Sequence, residues 1–276
     1  MPTPSPESLP GPVPEPHRLR QVAESFGIDA ERYDRTRPRY PAAMVERVAA
    51  AAPGRSVLDV GCGTGIASRQ FQDAGCAVLG VEPDARMAAF ARRRGLEVEV
   101  ATFEEWEPAG RAFDAVIAAQ SWHWIDPAAG AAKAAGVLRP GGRLALFWNV
   151  FALPDGVAAA IADVCERVMP GAPFDFRAMA KGGALRGYEA GFGRAAGGIR
   201  GTGAFGEPER WDFAWSRTYT RDELLDMMPT QGAFTRLPPD GLAEVLAGAG
   251  AAVDEAGGAV DVDYTAGVVT ATRTEP

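Results

Sequence analysis

The most informative stretch of the sequence is residues 57–65, which read Val57-Leu58-Asp59-Val60-Gly61-Cys62-Gly63-Thr64-Gly65. A short apolar run that contains one acid leads here into three glycines on alternate positions. Glycine tolerates positive φ angles and lets a ligand lie directly against the backbone. In doubly wound α/β folds, a strand that ends in such a turn and continues as a helix holds a nucleotide-like ligand. The stretch therefore predicts a ligand-binding strand, turn and helix at the start of a parallel sheet.

The spacing of these glycines argues against a dinucleotide ligand. A dinucleotide fingerprint reads G-x-G-x-x-G, whereas Gly61, Gly63 and Gly65 read G-x-G-x-G, and Ile66 stands where the third glycine of the fingerprint belongs. No Tyr-x-x-x-Lys proton relay is evident either. An NAD(P)-dependent oxidoreductase therefore remains only as an alternative.

Composition and charge narrow the class of protein further. The chain has 276 residues, of which 47% are hydrophobic and 23% charged, as is typical of soluble globular proteins. The formal net charge of −8 weighs against a nucleic-acid partner. No apolar run is long enough to span a membrane, and the seven prolines of residues 1–16 leave no room for a secretory signal core.

The three cysteines, Cys62, Cys76 and Cys165, form no C-x-x-C pair. Neither a disulfide framework nor a metal site is expected from an odd number of widely spaced cysteines. We expect a cytoplasmic protein with no metal, no membrane partner and no nucleic-acid partner.

Strand and helix patterns alternate from Ser56 to Trp148, which predicts a parallel sheet with helices on both faces. The expected organisation is a disordered, proline-rich tail (1–17) and a single domain (18–276). Within that domain we expect an N-terminal cap (18–52), a core (53–150 and 259–273) and an insertion or lid region (151–258).

The second half of the chain is less regular. Residues 181–206 are so rich in glycine that they predict a mobile lid rather than a core element. Thr220 and Glu223 have the spacing of a capping box at the start of a helix. Residues 260–264 and 268–272, separated by Thr-Ala-Gly, predict a terminal antiparallel hairpin.

Several motifs together resemble those of one protein family. The pattern D-x-G-x-G-x-G from Asp59 to Gly65 resembles motif I of the class I S-adenosylmethionine-dependent methyltransferases. Four further runs resemble the small-molecule branch that includes trans-aconitate and ubiquinone-pathway enzymes: residues 37–41, 120–124, 137–142 and 146–149. The resemblance covers residues 26–150 well and 211–273 in outline.

The resemblance implies a fold, an activity and partners. The fold would be α/β, with a Rossmann-like, doubly wound, seven-stranded sheet, a terminal antiparallel hairpin and an inserted lid. The activity would be methyl transfer from S-adenosylmethionine to a small organic molecule, as in secondary metabolism, with oxygen slightly favoured as the acceptor atom. The protein would be a monomer or homodimer. A non-methylating or diverted version of the same fold stays open.

The resemblance also implies a set of cofactor contacts. Glu82, at the end of the second strand, would accept the ribose hydroxyls, although it also has the position of a helix cap. Asp59 would contact the methionine end or brace the glycine loop. Thr102 stands where the family often has an acid that reads adenine, and this departure weakens that contact. The expected set is Tyr33, Arg37, Asp59, Gly61, Cys62, Gly63, Gly65, Glu82, Pro83, Met87, Thr102, Phe103 and Gln120.

The methyl acceptor is expected near the end of the fourth strand. His123 is the candidate general base, because a group with a pKa near neutral can remove a hydroxyl proton. Its alternative role is packing, and a carboxylate acceptor would need no base. Arg37 could pair with the methionine carboxylate or with an acidic acceptor. The expected acceptor-binding residues are Tyr40, Trp122, His123, Trp124 and Asn149.

Overall fold

The structure, a computed structural model, describes residues 24–172, 176–178, 180 and 184–275. The predicted tail, 1–17, lies outside the described residues, as do residues 18–23 of the predicted N-terminal cap. Residues Glu24–Asp29 form a 3₁₀ helix.

One seven-stranded mixed sheet forms the centre of the described part of the chain, in the order β3-β2-β1-β4-β5-β7-β6. Strands β1 to β5 run parallel, and β7 runs antiparallel to both of its neighbours. The strands are β1 Ser56–Val60, β2 Ala77–Val81, β3 Glu97–Glu99, β4 Phe113–Ala119, β5 Leu138–Ala152, β6 Glu209–Thr220 and β7 Ala259–Thr272.

Helices cover both faces of the sheet and its antiparallel end. They are α1 Ala30–Thr36, α2 Ala42–Ala51, α3 Ile66–Asp73, α4 Ala85–Arg93, α5 Pro127–Val137, α6 Asp155–Val168, α7 Phe176–Ala178, α8 Ala184–Gly201, α9 Arg221–Met227 and α10 Pro239–Glu255. Short 3₁₀ helices occur at Trp122–Trp124 and Met228–Thr230.

Alternating residues of the central strands build two hydrophobic cores. In β1, Leu58 and Val60 belong to the core under α5 and α8, whereas Val57 belongs to the core under α2, α3 and α4. This alternation follows from the period of two in a strand. Because both faces are covered, β1 is buried almost throughout, as expected for a central parallel strand. A third core joins α6, α9 and α10 to β6 and β7.

The strand order reverses between β1 and β4, and this switch point determines where a ligand can lie. The connections that leave β1 and β4 run to opposite faces of the sheet, which opens a crevice at the carboxyl ends of the strands. Residues 61–65, 82–84 and 120–124 all follow the carboxyl ends of β1, β2 and β4 and therefore meet at this edge.

The sheet ends in antiparallel strands, as predicted, but the placement of the predicted hairpin within residues 260–272 is wrong. Residues 259–272 form one uninterrupted strand, β7, and the expected turn Thr265-Ala266-Gly267 pairs with residues 148–150 of β5. The antiparallel partner on the other side is β6, which the sequence reading missed. Gly267 marks close packing in the middle of the strand, because a side chain there would meet the ring of Phe192 and the guanidinium of Arg210.

The prediction that residues 181–206 contain no core element is also wrong. From Ala184 to Gly201 the chain forms α8, which buries Phe192, Ala195 and Ile199 in the core. Gly198 lies against the carbonyl of Pro127 in α5, at a separation that leaves no room for a Cβ atom. The absence of a side chain at Gly198 therefore lets α8 pack closely against α5, and the glycine does not break the helix. Movement of this region as a lid stays a prediction.

Candidate functional site

The glycine loop after β1 adopts the backbone conformation that its sequence requires. Gly61, Gly63 and Gly65 have φ angles of +66°, +57° and +86°, in the left-handed region that only glycine adopts without cost. The amides of Gly61 and Cys62 donate to the carbonyl of Val81 at 2.8 and 3.2 Å. A Cβ atom at Gly61 would lie 2.6 Å from the Cβ of Ser121. The loop is therefore held between the ends of β2 and β4.

Glu82 connects this loop to the start of α4. Its side chain is only 6% exposed, and its two oxygens accept the amide of Gly63 at 2.8 Å and the amide of Asp84 at 2.9 Å. Burial raises the pKa of the Glu82 carboxyl to about 7. Each carboxylate oxygen has a second lone pair. Glu82 thus braces the loop and can still accept hydrogen bonds from a ligand.

The first turn of α4 completes this side of the crevice. Asp84 caps the helix by accepting the amides of Arg86 at 2.8 Å and Met87 at 3.4 Å. The sulfur of Met87 would lie 3.6 Å from a Cβ atom built on Gly63, so the thioether lies beside the glycine loop. Pro83 is exposed between Glu82 and Asp84.

Asp59 lies beneath the loop and is fully buried. The Ser68 hydroxyl of α3 donates to its Oδ2 at 2.5 Å. The other oxygen, Oδ1, has no hydrogen-bond partner within the described part of the chain. Burial raises the pKa of Asp59 to about 7. Asp59 ties the strand to the helix and leaves one buried acceptor for a donor group.

At the carboxyl end of β4, Gln120 has a φ angle of +56°, which is uncommon for a residue with a side chain. Its amide donates to the carbonyl of Phe147 at 2.9 Å, and its Nε2 donates to the carbonyl of Asn149 at 3.2 Å. Burial raises the pKa of the Tyr188 hydroxyl of α8, and the nearby Gln120 side chain opposes this rise. Backbone strain of this kind is found where surrounding structure holds a functional position in place.

The residues predicted to read adenine have mixed environments. The Thr102 hydroxyl donates to the carboxylate of Glu105 at 2.9 Å and accepts the Glu105 amide at 3.3 Å, so the side chain is engaged in its own turn. Phe103 is buried against Trp106 in the core. Cys62 is buried as well, and burial raises the pKa of its thiol well above the ordinary value. An adenine ring that approached Thr102 and Phe103 would therefore contact their backbone groups and not their side chains.

The N-terminal segment covers the crevice edge. Gly27 packs so tightly against the Asp84 carboxylate that a Cβ atom would overlap it. The ring of Phe26 lies 6.3 Å from that of Trp124. The guanidinium of Arg37 lies 4.7 Å from the centroid of the Tyr33 ring. Residues 24–41 therefore bridge α4 and the 3₁₀ helix after β4.

Arg37 is held inside this cover. Its guanidinium donates to the amide oxygen of Gln231 at 3.2 Å and to the carbonyl of Thr230. Its Nε is buried and has no hydrogen-bond partner within the described residues. One donor of the guanidinium therefore remains available.

Asn149 connects the acceptor side of the crevice to the N-terminal segment. Its Nδ2 donates to the carbonyl of Arg39 at 3.2 Å, and its Oδ1 accepts the indole N–H of Trp215 at 3.3 Å. Tyr40 follows Arg39 and packs edge-on against Phe147 at 4.8 Å. The predicted acceptor residues Tyr40 and Asn149 therefore belong to one connected wall.

His123 lies in the same region but is poorly arranged to act as a base. The indole of Trp148 donates to its Nδ1 at 3.2 Å, and an indole nitrogen can only donate. The neutral ring therefore carries its proton on Nε2 and has no free lone pair. Loss of surrounding water, reinforced by the charge of Arg194, lowers the pKa of His123 to about 4. Trp122, its neighbour, is 2% exposed and belongs to the core.

The comparisons with known proteins agree with this geometry. Residues 58–146 match the family described as Methyltransferase domain. A solved structure from Anaeromyxobacter dehalogenans, reported as a methyltransferase, superposes with a TM-score of 0.62 at 24% identity, covering 87% of this chain and 99% of that one. Residues 58–146 therefore form a methyltransferase domain, and the fold is that of the class I methyltransferases. This confirms the predicted family and fold, and S-adenosylmethionine as the cofactor of that family.

Relatives of this methyltransferase domain match over the same part of the chain. A methyltransferase of Mycobacterium tuberculosis, described as uncharacterized, is 41% identical over 133 residues, which are 47% of this chain and 54% of that protein. The ubiquinone biosynthesis O-methyltransferase of Bradyrhizobium sp. is 34% identical over 112 residues, which are 36% and 44% of the two chains. The aligned part thus spans about half the length of these relatives.

Several residues of the methyltransferase site could not be identified from sequence. Trp148, which orients His123, and Trp215, which binds Asn149, come from β5 and β6. Tyr188 and Arg194 come from α8, a helix that the sequence does not predict beside the site. The alternation Trp211, Phe213, Trp215 was the available signal for β6, because every second residue of a half-buried strand faces the core.

No helix among the described residues has the length and apolar character to cross a membrane. In the same residues, histidine, cysteine and acidic side chains nowhere gather into a group of three or more that could hold a metal ion.

Proposed function

We propose that the protein transfers the methyl group of S-adenosylmethionine to a small organic molecule, with oxygen favoured over nitrogen or carbon as the acceptor atom. One observation carries the proposal. At the switch point of the sheet, a loop of three glycines with left-handed backbone is hydrogen-bonded to the carboxylate of Glu82. The likeness to a ubiquinone biosynthesis O-methyltransferase supports oxygen as the acceptor atom.

The residues of the crevice fit the methyl donor. Glu82 has lone pairs for the ribose hydroxyls, and the buried Oδ1 of Asp59 is an acceptor without a partner among the described residues. Gly63 leaves the loop backbone open beside the thioether of Met87. When bound, S-adenosylmethionine supplies an electrophilic methyl group on a sulfonium that leaves as a neutral thioether.

The acceptor would lie across the crevice, between the glycine loop and the wall formed by Tyr40 and Asn149. Transfer would join the methyl carbon to an ionised acceptor oxygen, while the electron pair of the carbon–sulfur bond would go to sulfur. Holding the two reactants in line supplies most of the rate. The site residues Tyr33, Arg37 and Gln120 enclose the reacting groups and exclude water.

The direct test combines binding with transfer. Isothermal titration should show that S-adenosylhomocysteine binds and NADH does not, and methyl-labelled S-adenosylmethionine should label small metabolites in a cell extract. Binding of NADH without S-adenosylhomocysteine would establish the oxidoreductase alternative. Binding of the thioether with no transfer across a broad acceptor panel would establish the non-methylating version of the fold.

A further inference from the structure

A cavity of about 740 Å³ opens beside the acceptor wall. Small-molecule sites commonly have volumes of roughly 300–1,000 Å³. Three elements that are distant in sequence form the cavity: the N-terminal segment, the end of α4 and strand β6. Its lining residues are Glu31, Asp34, Arg35, Arg37, Arg39, Tyr40, Pro41, Phe90, Arg93, Arg94, Trp215 and Arg217.

The charge of this lining is opposite to the charge of the whole chain. The lining contains six arginines and two carboxylates, whereas the formal net charge of the whole chain is −8. One of these carboxylates, Asp34, is already paired with Arg69 at 2.5 Å. A concave surface lined by one sign of charge focuses the field and attracts ions of the opposite sign.

Not all of the arginines are neutralised locally. Arg35 pairs with Asp226 and Arg217 with Glu223. Arg39, Arg93 and Arg94 form no ion pair with any residue that the structure describes. Three guanidinium groups therefore remain for an external anion, and guanidinium binds carboxylates and phosphates in a bidentate manner.

The remaining wall of the cavity is aromatic. Trp215 stacks on Tyr264 with ring centroids 4.3 Å apart and an interplanar angle of 14°, which fixes the orientation of its indole. The guanidinium of Arg93 lies 5.4 Å from the centroid of the Phe90 ring. A ligand that suits both walls has a charged group and a flat, apolar body.

The cavity is connected to the methyl-transfer crevice through one residue. Asn149 binds the carbonyl of Arg39 and the indole of Trp215, both of which belong to residues that line the cavity. The Asn149 carbonyl in turn accepts the side chain of Gln120 at the switch point. A small molecule anchored in the cavity is therefore placed next to the acceptor side of the crevice.

We propose that this arginine-lined cavity binds the anionic end of the methyl acceptor, which is a small planar molecule that carries a carboxylate or phosphate. The proposal rests on the proposed function and names its substrate class.

The test is a binding experiment in the presence of saturating S-adenosylhomocysteine. Benzoate and phenyl phosphate represent the two anionic groups, and benzamide is an uncharged analogue of benzoate with the same shape. Ligand-observed NMR should show that both anions bind in the millimolar range and that benzamide binds at least tenfold more weakly. The double variant Arg39→Gln/Arg94→Gln should lose at least tenfold in anion affinity, because both side chains are exposed cavity arginines.

A matched control is Arg55→Gln, an exposed arginine just before β1, at the opposite edge of the sheet. It should leave anion binding unchanged, and circular dichroism should show all variants folded. Equal binding of benzoate and benzamide, no anion binding, or equal anion affinity in the double variant would overturn the proposal. The proposal would also be overturned if a 20-nucleotide oligonucleotide bound and phenyl phosphate did not. The affinity for S-adenosylhomocysteine is measured separately, because it tests the proposed function and not the anion site.

Discussion

Glu82 is the residue where structural and functional demands meet most closely. Its carboxylate holds the amides of Gly63 and Asp84, and it does so while almost completely buried. Its position could be predicted from sequence, because an acid directly after the second strand of such a sheet reaches the ribose. Its second role as a brace for the glycine loop became evident only when the loop was seen in three dimensions.

Replacing Glu82 with alanine should weaken binding of S-adenosylhomocysteine by about 1–3 kcal/mol, because hydrogen bonds to a charged acceptor are lost. Isothermal titration measures the change. The control is Glu97→Ala, an exposed acid on β3, which should bind as the unaltered protein does. Equal affinity of the Glu82 variant and the unaltered protein would remove Glu82 from the cofactor site.

His123 illustrates what a sequence pattern leaves undetermined. A histidine at a strand end near the crevice is a reasonable base, but its protonation depends on the neighbour of each ring nitrogen. Trp148 lies 25 residues away in sequence and determines the tautomer here.

We expect His123→Gln to change turnover by less than about tenfold and to leave the pH–rate profile in place, since general base catalysis contributes about 10²–10⁴-fold. Glutamine keeps an acceptor for the Trp148 indole, so the packing of the site is preserved. Steady-state rates across pH measure the effect. A loss of 10²-fold or more, together with a flattened pH profile, would establish the base role instead.

At the scale of elements, glycine has opposite meanings in different places. In the loop after β1 it permits left-handed backbone, whereas in α8 it permits two helices to approach closely. Composition alone does not separate these cases, so the glycine content of residues 181–206 predicts a mobile lid where the structure has a packed helix. Local sequence patterns were sufficient where the residues of a motif bond to each other. The predicted capping box of Thr220 and Glu223 is an example, and it is confirmed.

Adjacent glycines of α8 provide a matched test of this packing. Gly198→Ala should destabilise the protein, because the added methyl group would overlap the backbone of Pro127. Gly197→Ala meets nothing within 4 Å and should stabilise the helix by about 0.5–1 kcal/mol. Urea denaturation of both variants gives the two free energies of unfolding. Equal effects would mean that α8 does not pack against α5 as described.

At the scale of the whole molecule, the buried carboxyl groups of Asp59 and Glu82 make stability depend on pH. Burial raises the pKa values of Asp59 and Glu82 to about 7 in the folded state, from ordinary values near 4 in the unfolded chain. Between these values the folded state binds more protons than the unfolded state. The contribution of these two groups to the free energy of unfolding therefore falls as pH rises from about 4 to about 7 and then levels off.

The variant Asp59→Asn removes one of these titrations while keeping the size of the side chain. Its free energy of unfolding should fall less between pH 5 and pH 8 than that of the unaltered protein, as urea denaturation at the two pH values would show. Asp73→Asn, which changes an exposed acid at the end of α3, is the control and should retain the full dependence. An unchanged slope in the Asp59 variant would contradict the assignment.

The local order of residues was sufficient to determine the parallel half of the sheet, the glycine loop and the position of Glu82. These features depend on backbone preferences and on apolar periodicity within a few residues, and both are written in neighbouring positions. Tertiary structure alone decided the pairing of β6 with β7, the packing of α8, the tautomer of His123 and the gathering of arginines from residues 35–39, 93–94 and 217 around one cavity. Each of these depends on contacts between residues far apart in sequence, whose strength is set by burial and distance and not by local pattern.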